Sequence, residues 1–317
     1  MRPANTSGLA QYVPGRQPRV GRQALLSIHA YLTLPISPMA AVVSQIDFLG
    51  QHDCSVRGKP YSLRYDPPGD FPRTNFISVS EDVSLTDVRG RESEFHVHKQ
   101  GFGVLYLNPM MAYEDYEDKH KVETFYFKQV AEGVRELLGA SRVQIFEHVL
   151  RKRHAEFPIA TGEPYKYDQP TTRAHIDMTP AWATAMAEHM NERSGNALPS
   201  TRFQFINIWK PLRGPIKDWP LALCDASSLD QSDIEAMDVV HSATVIETYL
   251  VRPNKHQRWY YLSDQTEDEA WVFLQADSGV DKHLGAPHSS FRHPDHEQSL
   301  FPRESIEVRA IAFYHDT

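Results

Sequence analysis

The sequence predicts an α+β chain, mainly β, in which a double-stranded β-helix (jelly roll) core carries flanking α-helices. Three observations point there. Helical periodicity comes first along the chain, a run of short β-rich segments follows it, and 317 residues suit one sizeable core with elaborated ends better than two large domains. Residues 1–40, with several Gly and Pro and no apolar period, read as an N-terminal extension. Residues 41–317 read as a single jelly-roll domain.

From residue 26 to 120, short apolar runs alternate with turn signals such as Pro67-Pro68-Gly69 and Arg89-Gly90, which predicts irregular strands and loops. The clearest helix spans Val122–Leu138, where Val122, Tyr126, Val130, Val134 and Leu137 recur every three to four residues and Gly139 suits a C-cap. Val143, Ile145 and Val149 alternate with Gln144 and His148 as a strand would. A second helix starts at Thr179 as N-cap with Pro180 in first position, and runs through Trp182, Met186 and Met190 toward Gly195. Beyond it, residues 201–209, 243–251, 259–262, 271–276 and 305–314 carry β-branched and aromatic residues at strand-like spacing. There is no internal repeat.

Composition narrows the function classes. Hydrophobic residues make up 41% and charged residues 23%, values of an ordinary globular protein. The formal charge is −8, from 33 basic and 41 acidic residues, and the one compact basic cluster in sequence is Arg151-Lys152-Arg153. A nucleic-acid partner needs a more concentrated basic surface, so none is expected. No apolar run reaches the ~18–20 residues of a membrane-spanning helix, and the Arg-bearing N-terminus lacks the apolar stretch of a secretory signal. Cys54 and Cys224 are too few for a disulfide framework, read as buried small hydrophobes, and fit a reducing, cytoplasmic setting. What remains is a small-molecule substrate.

The sharpest local feature is Arg173-Ala174-His175-Ile176-Asp177-Met178. On a strand, residues two apart share a face, so His175 and Asp177 could share one first-row metal such as Fe(II), given a second imidazole from elsewhere. Among 16 histidines, such a pair also arises by chance. The third ligand is sought in Gly285-Ala286-Pro287-His288-Ser289-Ser290-Phe291. His288, at the start of an apolar strand, is preferred over His283 and over His293, which lies in a polar run. On the last strand Arg303, Ser305, Glu307 and Arg309 share one face. Arg303 with Ser305 could grip a carboxylate of a dicarboxylate co-substrate, as could Arg309; ion pairs of Glu307 with both arginines on a solvated face fit the spacing equally. Asn207, in the apolar run from Phe205 to Trp209, needs a partner if buried, either a co-substrate or neighbouring backbone. Asp277 suits turn capping ahead of Ser278-Gly279. Trp259, Tyr260 and Tyr261 suit packing.

From Ile46 to the C-terminus the chain resembles the fungal hydroxylase/desaturase family of specialised metabolism, with its AsaB-like and gibberellin desaturase-like members. The carrying segments are Asp87-Val88-Arg89, Gly101-Phe102, His175-Ile176-Asp177, Asn207-Ile208-Trp209-Lys210-Pro211-Leu212, Asp218-Trp219-Pro220-Leu221, Trp259-Tyr260-Tyr261, Gln275-Ala276-Asp277-Ser278 and Pro302-Arg303-Glu304-Ser305. The resemblance implies a non-haem oxygenase that uses Fe(II), 2-oxoglutarate and O₂ to hydroxylate, desaturate or oxidatively cyclise a small molecule in biosynthesis. It also implies His175, Asp177 and His288 as metal ligands, and an arginine between 303 and 309 as the 2-oxoglutarate anchor. Lys210 stands where the family often has Arg, a departure expected to bear on substrate recognition. Two rivals remain: a zinc hydrolase using the same ligands, and a cupin-like binding or accessory protein without catalysis.

Overall fold

The computed structural model describes residues 40–107, 111–159, 165–194, 202–280 and 285–315, with backbone only for 191–194. All of the 1–40 extension but its last residue, Gly195 and His283 lie outside these. The strands, in chain order, are β1 (Ala41–Leu49), β2 (Tyr61–Leu63), β3 (Ser78–Asp87), β4 (Phe102–Tyr106), β5 (Arg142–Lys152), β6 (His175–Ile176) and β7 (Phe203–Pro211). After these come β8 (Leu221–Cys224), β9 (Ile234–Val240), β10 (Val245–Val251), β11 (Trp259–Tyr261), β12 (Glu269–Asp277), β13 (His288–Ser290) and β14 (Glu304–Phe313). They form a nine-stranded sheet, ordered β1-β3-β11-β8-β13-β6-β10-β9-β2, and a five-stranded sheet, ordered β4-β12-β7-β14-β5.

The five-stranded sheet separates two environments by parity. In β7, β12 and β14, Ile206, Ile208, Val272, Leu274, Ile306, Val308 and Ala310 face outward into a cluster with Val130, Val134 and Leu138 of the Phe127–Leu138 helix. The alternate residues, including Asn207, Trp209, Phe273, Gln275, Ser305 and Arg309, face the other sheet. The predicted helix ends as expected, with Gly139 at φ 64. Its first turn, Val122–Tyr126, is a π-helix. That wider turn lets Val122, Tyr126, Val130, Val134 and Leu138, spaced by four, stay on one face. Leu138 is the buried residue and Leu137 is 42% exposed, a correction to the predicted face.

The nine-stranded sheet curls until β1 meets the segment ahead of β6, with Asp47 bridging Arg173. Enclosed within the curl are Ile46, Phe48, Leu85, Ala174, Ile176, Ala222, Cys224, Trp259 and Phe291. Residues 26–120 were expected to be irregular, yet β1 and β3 pair antiparallel over nine positions from Ala41↔Thr86 to Leu49↔Ser78. Their alternation is weak because much of β3 is exposed. Cys224 is buried as expected, but Cys54 is exposed, donating Sγ to Glu235 Oε1 at 3.2 Å. Among the described residues, no helix is long and apolar enough to cross a membrane.

Candidate metal centre

Three neighbouring segments bring the predicted ligands together. His175 opens β6, and His288 opens β13 directly opposite it, so the two rings lie on one face with centroids 4.3 Å apart. Asp177 lies just past the end of β6, a strand shorter than the alternation argument assumed. Two residues on, Thr179 caps the helix Pro180–Ser194, its Oγ1 accepting from Trp182 N–H at 3.1 Å. The carboxylate thus sits where a strand stops and a helix begins.

Among the described residues, His175, Asp177 and His288 are the one such cluster, with one donor atom from each within 4.8 Å of the others. His175 Nε2 lies 3.2 Å from Asp177 Oδ1, and His288 Nε2 lies 4.0 Å from it. Each ring donates Nδ1–H to a backbone carbonyl, His175 to Arg173 at 2.8 Å and His288 to Ala286 at 3.3 Å. That tautomer leaves both Nε2 lone pairs aimed at the shared space, as a metal requires. Burial, with His175 nearby and against the pull of Asp177, pushes His288 down to about 3. It is therefore a neutral donor at any working pH. Burial opposes charge on Asp177, but the Arg309 guanidinium beside it outweighs burial and holds the carboxyl well below its usual range. Two imidazoles and one carboxylate form a donor set suited to a first-row divalent ion. The side chains of His175 and Asp177 are 20% and 14% exposed, against 4% for His288, so the centre opens on the β6 side.

The other predicted site residues divide. Asn207 binds neither backbone nor an open space: its Nδ2 donates to Asp177 Oδ2 at 2.7 Å. Arg309 lies 3.3 Å from the same oxygen, 3.2 Å from Glu307 and 2.8 Å from Glu147. Its ion pairs are real, but on the inner face, not a solvated one. Arg303 is buried, its N–H bonded to Asp218 at 2.7 Å and its Nη1 to the Trp219 carbonyl at 2.7 Å, with the guanidinium 5.0 Å from the Trp209 ring centroid. Among the described residues it makes no ion pair with Glu307. Arg303 Nε and Ser305 Oγ are both buried without a partner. A donor pair of that kind fits a carboxylate arriving from outside the chain.

Gln275 was not singled out for the site, yet its Oε1 accepts the Asp177 backbone N–H at 2.8 Å; its parity with Phe273 on β12 was the available signal. Asp277 caps the turn as predicted, accepting from Gly279 N–H at 2.9 Å. Lys210 points away from the site. It is buried on the helix side, its Nζ 4.8 Å from the Tyr116 ring centroid, so the expected link to substrate recognition is not where this side chain sits. His293 lies apart, its ring against Tyr261 and Phe291.

A family model described as an oxidoreductase/YMDC permease-like domain matches residues 46–313. The Fe(II)/2-oxoglutarate-dependent dioxygenase nvfI of Aspergillus novofumigatus is 28% identical over 268 residues, covering 83% of this chain and 94% of its own. The hydroxylase/desaturase efuI of Hormonema carpetanum is 30% identical over 258 residues, covering 75% of this chain and 85% of its own. A solved structure of the iron and alpha-ketoglutarate-dependent endoperoxidase NvfI superposes with a TM-score of 0.75 at 27% identity, covering 87% of this chain and 99% of that one.

Proposed function

The chain belongs to the oxidoreductase/YMDC permease-like family that includes fungal Fe(II)/2-oxoglutarate-dependent dioxygenases and hydroxylase/desaturases, and on that premise we propose that residues 41–317 form an oxygenase domain whose iron is held by His175, Asp177 and His288. It is a 2-oxoglutarate-dependent dioxygenase acting on a small molecule in fungal secondary metabolism. The observation that carries the ligand assignment is the pair of Nδ1-anchored imidazoles facing Asp177 Oδ1. Iron, when bound, supplies the activation of O₂ coupled to 2-oxoglutarate decarboxylation.

The protein's own residues do the rest. His175 and His288 would present their Nε2 atoms to the iron. Asp177 offers Oδ1, while Asn207 and Arg309 occupy Oδ2. Arg303 and Ser305 would take the far carboxylate of 2-oxoglutarate, and Arg309, already engaged by three carboxylates, would not. Phe273, its ring centroid 4.8 Å from that of His288, helps exclude water. The two cysteines, both free, fit a reducing, cytoplasmic setting.

The test is succinate formation from 2-oxoglutarate. With Fe(II) and O₂ it should rise above the protein-free background, and it should vanish in His288→Ala. Succinate independent of O₂, or none with any of a broad panel of candidate substrates, sinks the oxygenase assignment; zinc-supported hydrolysis would revive the rival reading.

A further inference from the structure

Arg303 is gripped by its own backbone as well as by its side chain. Its N–H donates to Asp218 Oδ2 at 2.7 Å, its carbonyl accepts from Arg153 N–H at 2.9 Å, and its Nη1 donates to the Trp219 carbonyl at 2.7 Å. Asp218 is buried, and its Oδ2 also accepts from Arg153 Nε, so one carboxylate oxygen ties the residue just past β5 to the residue just ahead of β14. On the guanidinium, Nε is left without a partner, as is Ser305 Oγ two residues on.

Trp219 holds its carbonyl there in a conformation that tryptophan rarely adopts. Its φ is 48; among the described residues Asp264, at 46, is the other non-glycine residue with positive φ. A bulky side chain crowds the backbone in that region, and Pro220 further restricts the residue before it. Such a turn persists only where its surroundings over-determine it. The Trp219 indole packs edge-on against Phe157, with centroids 4.8 Å apart, and the Pro220 carbonyl accepts from Phe291 N–H at 3.2 Å. Leu221 then opens β8, paired with Ser290 of the strand that His288 begins. The segment Asp218-Trp219-Pro220-Leu221 therefore runs from the co-substrate arginine to a ligand strand, and its strained turn aims a carbonyl at Arg303 Nη1.

Arginine has a long, flexible side chain, and its fork grips a carboxylate only when presented in the right plane. Fixing the fork during folding removes that ordering cost from binding. We propose that Asp218 is a positioning residue for the co-substrate: by holding Arg303 against Arg153 and Trp219, it sets the preference for a dicarboxylic over a monocarboxylic 2-oxo acid. This rests on the oxygenase reading with Arg303 as the anchor.

The test is an anaerobic titration of full-length, Fe(II)-loaded protein with 2-oxoglutarate and with 2-oxopentanoate, which has the same carbon chain without the far carboxylate. Both acids chelate iron through the 2-oxo acid end and are read by the visible band. Wild type should bind 2-oxoglutarate at least ~10-fold more tightly, the scale of a charged hydrogen bond. Asp218→Ala should lose most of that preference through weaker 2-oxoglutarate binding, with Fe(II) and 2-oxopentanoate affinities unchanged. Asp218→Asn keeps the shape and an acceptor oxygen without the charge, and should lower the preference by only ~3-fold; it carries the test if the Ala variant does not fold. Equal loss of affinity for both acids would make Asp218 a structural residue and overturn the proposal, as would a preference that either variant leaves unchanged. A wild type that forms the band yet prefers neither acid overturns it too, whereas a wild type without a band under either acid overturns the oxygenase reading and the proposal together.

Discussion

Asp177 is held at every polar atom that faces the chain. Oδ1 faces the histidines, Oδ2 accepts from Asn207 with Arg309 beside it, and the backbone N–H donates to Gln275. Such outer partners orient a ligand and typically account for 10- to 100-fold in metal affinity. Asn207→Ala should therefore weaken Fe(II) binding by about that factor with the fold retained, as followed by Fe(II) titration beside circular dichroism; unchanged affinity would show that Arg309 alone suffices. Arg303→Ala should raise the 2-oxoglutarate requirement by roughly 10- to 100-fold, the loss of a charge-assisted bond of ~1.5–3 kcal/mol. Arg309→Ala should instead act mainly on metal affinity. If the two phenotypes come out reversed, Arg309 is the anchor. The His-x-Asp pair was legible because both ligands are local to one strand end. The division of labour between Arg303 and Arg309 was not, because Glu147 and Asp177, which engage Nη1 and Nη2 of Arg309, are distant in sequence.

Among the elements, β7 shows how one strand serves two tasks. Its odd positions supply Asn207 and Trp209 to the inner face, and its even positions supply Ile206, Ile208 and Lys210 to the helix-side core. Burial holds the Lys210 ammonium down to about 8, against the attraction of Glu267 and Asp268. The unfolded chain keeps its proton to about 10.4. Between those values the unfolded state binds more protons than the folded state, so stability rises with pH across that window; below about 8 the burial penalty is fully present. Lys210→Met should therefore be more stable than wild type at pH 7, by about 1–3 kcal/mol, and should lose the rise between about pH 8 and 10. Urea denaturation at the two pH values checks this, and a less stable Met variant at pH 7 would mean that the contacts with Tyr116 and Tyr126 outweigh burial. The later strands were legible because β-branched and aromatic residues recur along them at short spacing. β1 and β3 were missed because exposed positions blur their period, and the π turn at Val122 was invisible to a rule built on α-helical spacing.

Across the whole molecule, the apolar clusters under the helix and inside the curled sheet lie away from the ligand side chains. Removing the metal should thus lower the melting temperature without unfolding the protein. At a thousandfold excess over the dissociation constant, bound metal adds about 4 kcal/mol. Thermal scans with and without chelator measure the difference, and a chelator-treated protein without a cooperative transition would make the metal structural. Sequence could name the jelly roll because strand composition is local. It pointed to Arg151-Lys152-Arg153 as the basic cluster, whereas alternation along β5 sends Lys152 to Glu117 and Glu304 on the outer side.

The most direct measurement is an anaerobic titration of apo-protein with Fe(II) and then 2-oxoglutarate, watching for the visible metal-to-ligand charge-transfer band of a chelated 2-oxo acid. The band should form in wild type and fail in His175→Ala. Fe(II) bound without a band in wild type, or an undiminished band in His175→Ala, would contradict the assignment of His175, Asp177 and His288 as the iron site of a 2-oxoglutarate oxygenase.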